Sequence, residues 1–398
     1  MRQHLILLLA LARAAAVLQC PVALTEEQLP IISRDLLPWV HGIDAALWNS
    51  TVSYALNDVG NAGIIGPCSS ALVVIKNGTV SFSLSNKKCN NTPAYPLVTA
   101  LPNFLSSIAV EAALPDSAFI VSVADKPDND NTHTHFQAIR RPVFHFCRTA
   151  DAADILTETY IVHMDKGLRH LVSKLSEHPL PAWAEKKDVL FGAWTSFGRW
   201  VYKGEIATMR FGLDGEENYD ARATIEKMGL LLNDSRVQIN TNGFVPAWEW
   251  GKFRYVVFMD GVTCSNKIYE LLLSGSLVFV EQSGYECLPL AHLRPFEHYI
   301  PFYHHFPQEL GWAWAWAQQH PARAESIAAA GHAWALRHLH PDALACRWQT
   351  LLGEYNKLFT FNVVEHMQHH PFHEAWPGKP PAANKAPAEN NVRKANTP

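Results

Sequence analysis

Asp260-Gly261, the small polar run Thr263 to Asn266, and Lys267 form the densest group of chemically useful residues in the chain. They stand between the apolar run Tyr255–Met259 and a second apolar run, Ile268–Leu273. An apolar strand that stops at a tight acidic-glycine turn and restarts as a helix presents small residues and backbone N–H groups at the helix start. That is a place where a phosphate can sit. Ser274-Gly275 then ends the helix, and Leu277–Val280 reads as a second buried strand. The β-turn-α-β unit points to a nucleotide-bearing ligand.

Other candidate groups have plainer readings. Asp154 stands in a neutral context that suits a helix N-cap, and Asp125 closes an apolar strand as a turn residue would. Glu270 reads as an exposed helix glutamate. Asp128-Asn129-Asp130 is the single Asp-x-Asp, and it lies in a polar loop. His366, His369, His370 and His373 have metal-compatible spacing, but Pro371 and a polar tail argue for a solvated cluster. Trp312, Trp314 and Trp316 fall in an Ala-rich helix and read as packing. No Gly-x-Gly-x-x-Gly follows a strand and no Gly-Lys-Ser/Thr loop is present, which disfavours dinucleotide and P-loop readings.

The elements that must position these groups are α/β. With 398 residues, 48% apolar residues and 13 Trp, the chain suits about two domains. A net charge of −4 with 18% charged residues argues against nucleic-acid binding. Residues 1–19 carry Arg2, an apolar stretch and small residues, as a secretory signal peptide does. No later run is long enough to span a bilayer. Sequons at Asn49, Asn77, Asn90 and Asn233 fit that route. Seven cysteines in an oxidising lumen imply disulfides. Cys68 with Cys89 is the first pairing to expect, across a hairpin, and Cys20 with Cys346 the second.

Residues 21 to about 95 read as an irregular lead-in with short strands. Leu72–Ile75 and Val80–Leu84 flank the hairpin signal Asn77-Gly78. A helix within 97–113 precedes the strands Ala118–Val123 and Val143–Phe146. A charged, Pro-flanked linker around Glu185–Asp188 separates this half from a second α/β run starting at Val189. The expected division is 20–185, 186–342, a terminal helix within 343–370 and a disordered tail 371–398. Two such halves fit a GT-B-like shape, with two Rossmann-like domains and a C-terminal helix crossing back. They equally fit many dehydrogenases and periplasmic-type binding proteins.

Longer strings narrow this. Lys252-Phe253-Arg254-Tyr255, Asp260-Gly261, Leu272-Leu273-Ser274-Gly275-Ser276-Leu277-Val278 and Leu293-Arg294-Pro295-Phe296-Glu297-His298-Tyr299-Ile300-Pro301 closely resemble the core of the protein O-glucosyltransferase (Rumi-like) family, glycosyltransferase family 90. Ala118–Lys126, Pro142-Val143-Phe144, Asp154-Ile155-Leu156, Phe191–Ser196 and the Cys346–Tyr355 helix extend the resemblance. Residues 21–95 match poorly.

The resemblance implies an inverting, metal-independent transfer of glucose or xylose from UDP-glucose or UDP-xylose to a hydroxyl. The acceptor would be Ser/Thr of a secretory-pathway protein, or a glycan, in the endoplasmic reticulum or Golgi lumen or after secretion. No cofactor is implied beyond the UDP-sugar donor. Asp154 takes the general-base position, with Asp125 as the alternative. The donor side comprises Gly192, Thr195, Ser196, Arg199, Asp260, Gly261, Val262, Thr263, Ser265 and Lys267. Phe191, Trp194 and Lys267 stand where the family usually has arginine. A catalytically inactive sugar- or protein-binding member is therefore the other reading.

Overall fold

The computed structural model describes residues 18–56, 68–84, 89, 92–125, 140–150, 152–164, 167–196, 212–214, 220–241 and 245–368. Most of the expected signal, Asn90, Asp128–Asp130, Arg199, His369, His370, His373 and the tail lie outside them.

Among the described residues, twelve strands form two five-stranded sheets and one small ribbon. In the first half these are β1 (Ser70–Lys76), β2 (Thr79–Leu84), β3 (Ser117–Ser122), β4 (Val143–His145), β5 (Cys147–Thr149) and β6 (Ile155–Leu156). The first sheet has the order β2-β1-β3-β4-β6. Its β2-β1-β3 edge is antiparallel, and β3, β4 and β6 run parallel. Asn77 and Gly78 both take positive φ at the β1–β2 turn, the geometry that an Asn-Gly hairpin demands.

The second half contributes β7 (Lys187–Ala193), β8 (Val237–Asn240), β9 (Phe253–Phe258), β10 (Leu277–Glu281), β11 (Tyr285–Cys287) and β12 (Ile300–Phe302). Its sheet, β12-β10-β9-β7-β8, is parallel throughout. Every residue of β10 is buried, as a parallel strand covered on both faces requires. The helix Lys267–Leu273 crosses from β9 to β10 and buries Ile268, Tyr269, Leu271, Leu272 and Leu273.

Two covalent and pairing devices tie the halves together. The strand β5, which follows β4, pairs antiparallel with β11, which follows β10. A disulfide joins Cys147 on β5 to Cys264 in the turn after β9. The expected pairs Cys68–Cys89 and Cys20–Cys346 are present, and Cys287 is a buried free thiol. On the terminal helix Pro341–Asn356, Trp348 stacks against Phe119 of β3 and Phe144 of β4.

Two sequence expectations differ from the structure. The lead-in is largely helical, with helices Val22–Leu36 and Ala45–Leu56. In the first, Leu24, Gln28, Ile32 and Leu36 recur every four residues on the buried face. Pro30 sits inside that helix and removes one N–H donor, so a breaker signal masks the helical period. Lys186, placed in the charged linker, is buried. Its ammonium donates to the carbonyl oxygens of Gly251 and Ser274, which closes the C-terminus of the Lys267–Leu273 helix. Burial pushes its pKa down to about 8.

Candidate active site

Parallel strands place their carboxyl ends along one edge, and ligands of open α/β sheets bind there. Here two such edges meet. Thr263, after β9, donates its hydroxyl to the carbonyl oxygen of Asp125, three residues beyond β3. Thr159, after β6, is hydrogen-bonded through its hydroxyl to the Asn266 side chain, and its N–H donates to Tyr269 Oη at 3.3 Å.

On the second-sheet side the turn is built around the buried Asp260. Its Oδ1 accepts from the Ser265 N–H at 2.9 Å, and its Oδ2 accepts from the Ser283 hydroxyl. Its own N–H donates to Glu281 Oε2 at 2.8 Å. Beneath the turn lies Arg222, near the start of the helix Ala221–Leu231. Its Nε donates to the carbonyl of Asp260 at 2.9 Å, Nη2 to Met259 at 3.3 Å and Nη1 to Thr195 at 2.6 Å. One buried guanidinium thus fastens the carboxyl ends of β7 and β9 together and leaves its positive charge below Gly261. A Cβ on Gly261 would stand 3.6 Å from Nη2.

The expected donor residues are not equally placed. Asp260, Gly261, Val262, Thr263 and Ser265 line the turn, and Thr195 reaches it through Arg222. Within the turn, the Cys264 N–H donates to Cys147 Sγ at 3.2 Å, the Ser265 N–H to Asp260 and the Gly261 N–H to the Thr263 carbonyl at 2.9 Å. Among the described residues, the amides of Val262 and Thr263 remain for a ligand. Ser196 is hydrogen-bonded to Asp220, the N-cap of the Arg222 helix. Gly192 lies under the Trp194 ring, which would be 2.6 Å from a Cβ there. Lys267 is directed elsewhere: its ammonium pairs with Glu270 at 2.6 Å and lies 5.0 Å over the Trp250 ring.

The positions flanking Gly192 are apolar. Phe191 stacks on Phe253 at 4.2 Å and meets Trp250 edge-on at 4.8 Å. Trp194 is buried, and among the described residues its indole N–H makes no hydrogen bond. Of the alternating tryptophans, Trp314 packs on Tyr255, whereas Trp312 is exposed.

On the first-sheet side the two candidate carboxylates part company. Asp154 is wholly buried at the entry to β6, not at a helix start, and its carbonyl accepts from Arg148 Nη1 at 3.2 Å. Arg148 in turn pairs with Asp35 at 2.9 Å and Glu286 at 2.8 Å, a network that locks the β5–β11 ribbon to the first helix. Asp125 is only half-buried and faces Tyr160, whose pKa is raised by burial, eased by Asn266 and raised again by the Asp125 charge. Burial pushes the Asp125 carboxyl above the usual carboxylate range. Next to this pair, Glu158 is buried. Burial raises its pKa, but His163 and the Arg347 charge outweigh that and hold it low. It anchors the terminal helix by accepting from Trp348 Nε1 at 3.0 Å.

A half-buried carboxylate at the edge of one sheet and a cation under a small-residue turn at the edge of the other suit group transfer from an anionic leaving group. The model of glycosyl transferase family 90 matches residues 74–374. The chain belongs to this family. Among curated relatives, it is 25% identical to protein O-glucosyltransferase 2 of Danio rerio over 335 residues, 79% of this chain and 65% of the relative. It is 26% identical to an O-glucosyltransferase rumi homolog of Anopheles gambiae over 266 residues, 63% of each chain. Against protein O-glucosyltransferase 3 of Rattus norvegicus it is 23% identical over 256 residues, 63% of this chain and 49% of the relative. The chain thus spans less than two thirds of the length of these relatives.

Within this family member, sequence reasoning missed Arg222 and the Cys147–Cys264 link. Arg222 follows Asp220, an N-cap residue, at the head of an apolar helix. A cation at a helix start opposes the helix dipole and so signals a use beyond helix stability.

Proposed function

We propose that the chain is an inverting, metal-independent glycosyltransferase that moves glucose or xylose from UDP-glucose or UDP-xylose to a hydroxyl. The acceptor is Ser/Thr of a secretory-pathway protein or a glycan, and the work is done in the endoplasmic reticulum or Golgi lumen or after secretion. The observation that carries this reading is the hydrogen bond from the Thr263 hydroxyl to the Asp125 main-chain carbonyl, which brings a residue with a half-buried carboxylate up to the turn held by Arg222. Three disulfides fit an oxidising lumen. The two facing sheets are read as the halves of a GT-B arrangement, residues 20–185 on the acceptor side and 186–342 on the donor side.

In this mechanism the acceptor oxygen attacks C1 of the sugar from the Asp125 side. The C1–oxygen bond to the β-phosphate breaks, and its electron pair leaves with UDP. Asp125 takes the hydroxyl proton, a role open to a carboxylate that substrate can touch. Asp154, with no exposed surface, holds β6 in place. Arg222 and the amides of Val262 and Thr263 offset the charge that grows on the diphosphate, a contribution of about 3 kcal/mol per donor. Purified protein given UDP-glucose or UDP-xylose releases UDP, and Asp125→Asn stops it. Release from neither donor rules the reading out.

The apolar packing of Phe191 and Trp194 and the Lys267–Glu270 pair favour a second reading, a sugar- or protein-binding member without turnover. It predicts a UDP-dependent rise in melting temperature with no UDP release.

A further inference from the structure

The three sequons whose asparagine is described have very different settings. Asn49 lies within the helix Ala45–Leu56, and its Oδ1 is 2.8 Å from His366 Nε2. Thr51 of the same sequon is buried and donates to the Leu47 carbonyl at 2.8 Å. Asn77 stands exposed at the tip of the β1–β2 hairpin, followed by an exposed Thr79. Asn233 stands exposed just past the helix Ala221–Leu231, followed by an exposed Ser235. Both take a left-handed backbone, with φ of 49°. Their main-chain N–H groups are committed, to Asp116 Oδ1 at 2.7 Å and the Leu230 carbonyl at 3.1 Å. Among the described residues, neither side-chain amide makes a hydrogen bond.

A second observation concerns what surrounds them. The most exposed large hydrophobic residues described are Val110 at 77% and Leu230 at 75%. Each adjoins one of these two asparagines. A Val110 methyl lies 3.1 Å from the position a Cβ on Gly78 would take, next to Asn77. Leu230 accepts the Asn233 N–H, and Leu231 beside it is 66% exposed. An apolar cluster left on a surface calls for a cover. The C–H face of a sugar ring supplies one while its hydroxyls stay in water.

We propose that Asn77 and Asn233 carry N-linked oligosaccharides that cover, respectively, Val110 and the adjoining Leu230 and Leu231, and that Asn49 stays unmodified. The proposal rests on the secretory-pathway reading but not on the transferase reading. In the modification, the Asn amide nitrogen attacks C1 of an oligosaccharide carried on a polyprenyl pyrophosphate. The N–C1 bond forms, and the C1–O bond breaks with its electron pair leaving on the pyrophosphate. The amide proton passes to a base of the transferring enzyme. The same addition at Asn49 would displace His366 and the helix Val363–Gln368 that carries it.

The test uses the full chain from a eukaryotic host, taking the fraction that contains the Cys20–Cys346 disulfide and has therefore met an oxidising lumen. Peptide-N-glycosidase in heavy-oxygen water marks each formerly occupied Asn as a heavy Asp, read by peptide mass spectrometry. The mark is expected at Asn77 and Asn233 and absent at Asn49. A mark at Asn49, or none at Asn77 or Asn233, overturns the assignment. For the covering role, Asn233→Gln is expected to bind a hydrophobic dye several-fold more strongly, and a further Leu230→Lys change to reverse much of that. Unchanged dye binding in Asn233→Gln overturns the role. UDP release measured on the same sample separates these outcomes from the fate of the transferase reading.

Discussion

The guanidinium of Arg222 donates to the carbonyl oxygen of Asp260 at 2.9 Å, so the second sheet holds its Asp260–Ser265 turn from below with a charged side chain. Arg222→Ala is expected to lower kcat/KM for the UDP-sugar about 10²–10³-fold, the range for losing one preorganised electrostatic donor. Arg222→Lys is expected to recover little, because an ammonium lacks the planar fork that spans three carbonyls. Steady-state UDP release decides this. Wild-type kinetics in Arg222→Lys would mean that charge alone suffices.

Asp125→Asn is expected to abolish transfer while leaving the UDP-induced melting shift intact. A general base works deprotonated, so kcat should fall as pH drops through the Asp125 pKa. Burial raises that pKa, so the acid limb should lie above the ordinary Asp range. Asp154→Asn should leave the limb where it is. A limb that moves with Asp154 instead would transfer the base role to that residue.

Lys267→Ala is expected to change UDP affinity by less than about 1 kcal/mol, because its ammonium is engaged by Glu270 on the next turn of its own helix. Isothermal titration with UDP measures it. A tenfold loss would show that the lysine swings to the diphosphate when donor binds.

Cys264→Ser removes a link between residues 117 apart in sequence, which is expected to cost about 4 kcal/mol of stability. Donor affinity should fall with it, since Cys264 lies between Thr263 and Ser265 in the turn. Thermal melting with and without UDP reads both effects.

Stability should also decline in mild acid. Burial, helped by the charges of Arg347, His338 and Arg34, pushes the His292 pKa down to about 3, against about 6.5 in an unfolded chain. Between those values the unfolded state binds the extra proton, so folding stability drops as pH falls from about 6.5 toward 3. His292→Gln should flatten this dependence in denaturant titrations at stepped pH.

Much of the second sheet is legible in the sequence because its signals are local. Tyr255–Met259 and Leu277–Val280 are continuous apolar runs, and Asp260-Gly261 and Ser274-Gly275 punctuate them; the strands and the helix fall where those residues put them. The Asn77-Gly78 hairpin is legible for the same reason. The first helix is not, because Pro30 interrupts its pattern. In the site, the turn residues are legible but the cation is not: Arg222 reaches Asp260 across 38 positions of chain, a contact that no spacing rule encodes. Lys267 shows the converse case. Its position in the motif suggests a ligand contact, whereas side-chain geometry gives it to Glu270 and Trp250.

The Cys147–Cys264 bond ties the Asp260–Ser265 turn to the redox state of its surroundings. Its two sulfurs come from opposite halves, so reducing it unfastens the turn from β5 while Arg222 and the Asp260 carboxylate still hold the base of the turn. On the transferase reading proposed above, a thiol reductant would therefore loosen donor capture before it melts either sheet.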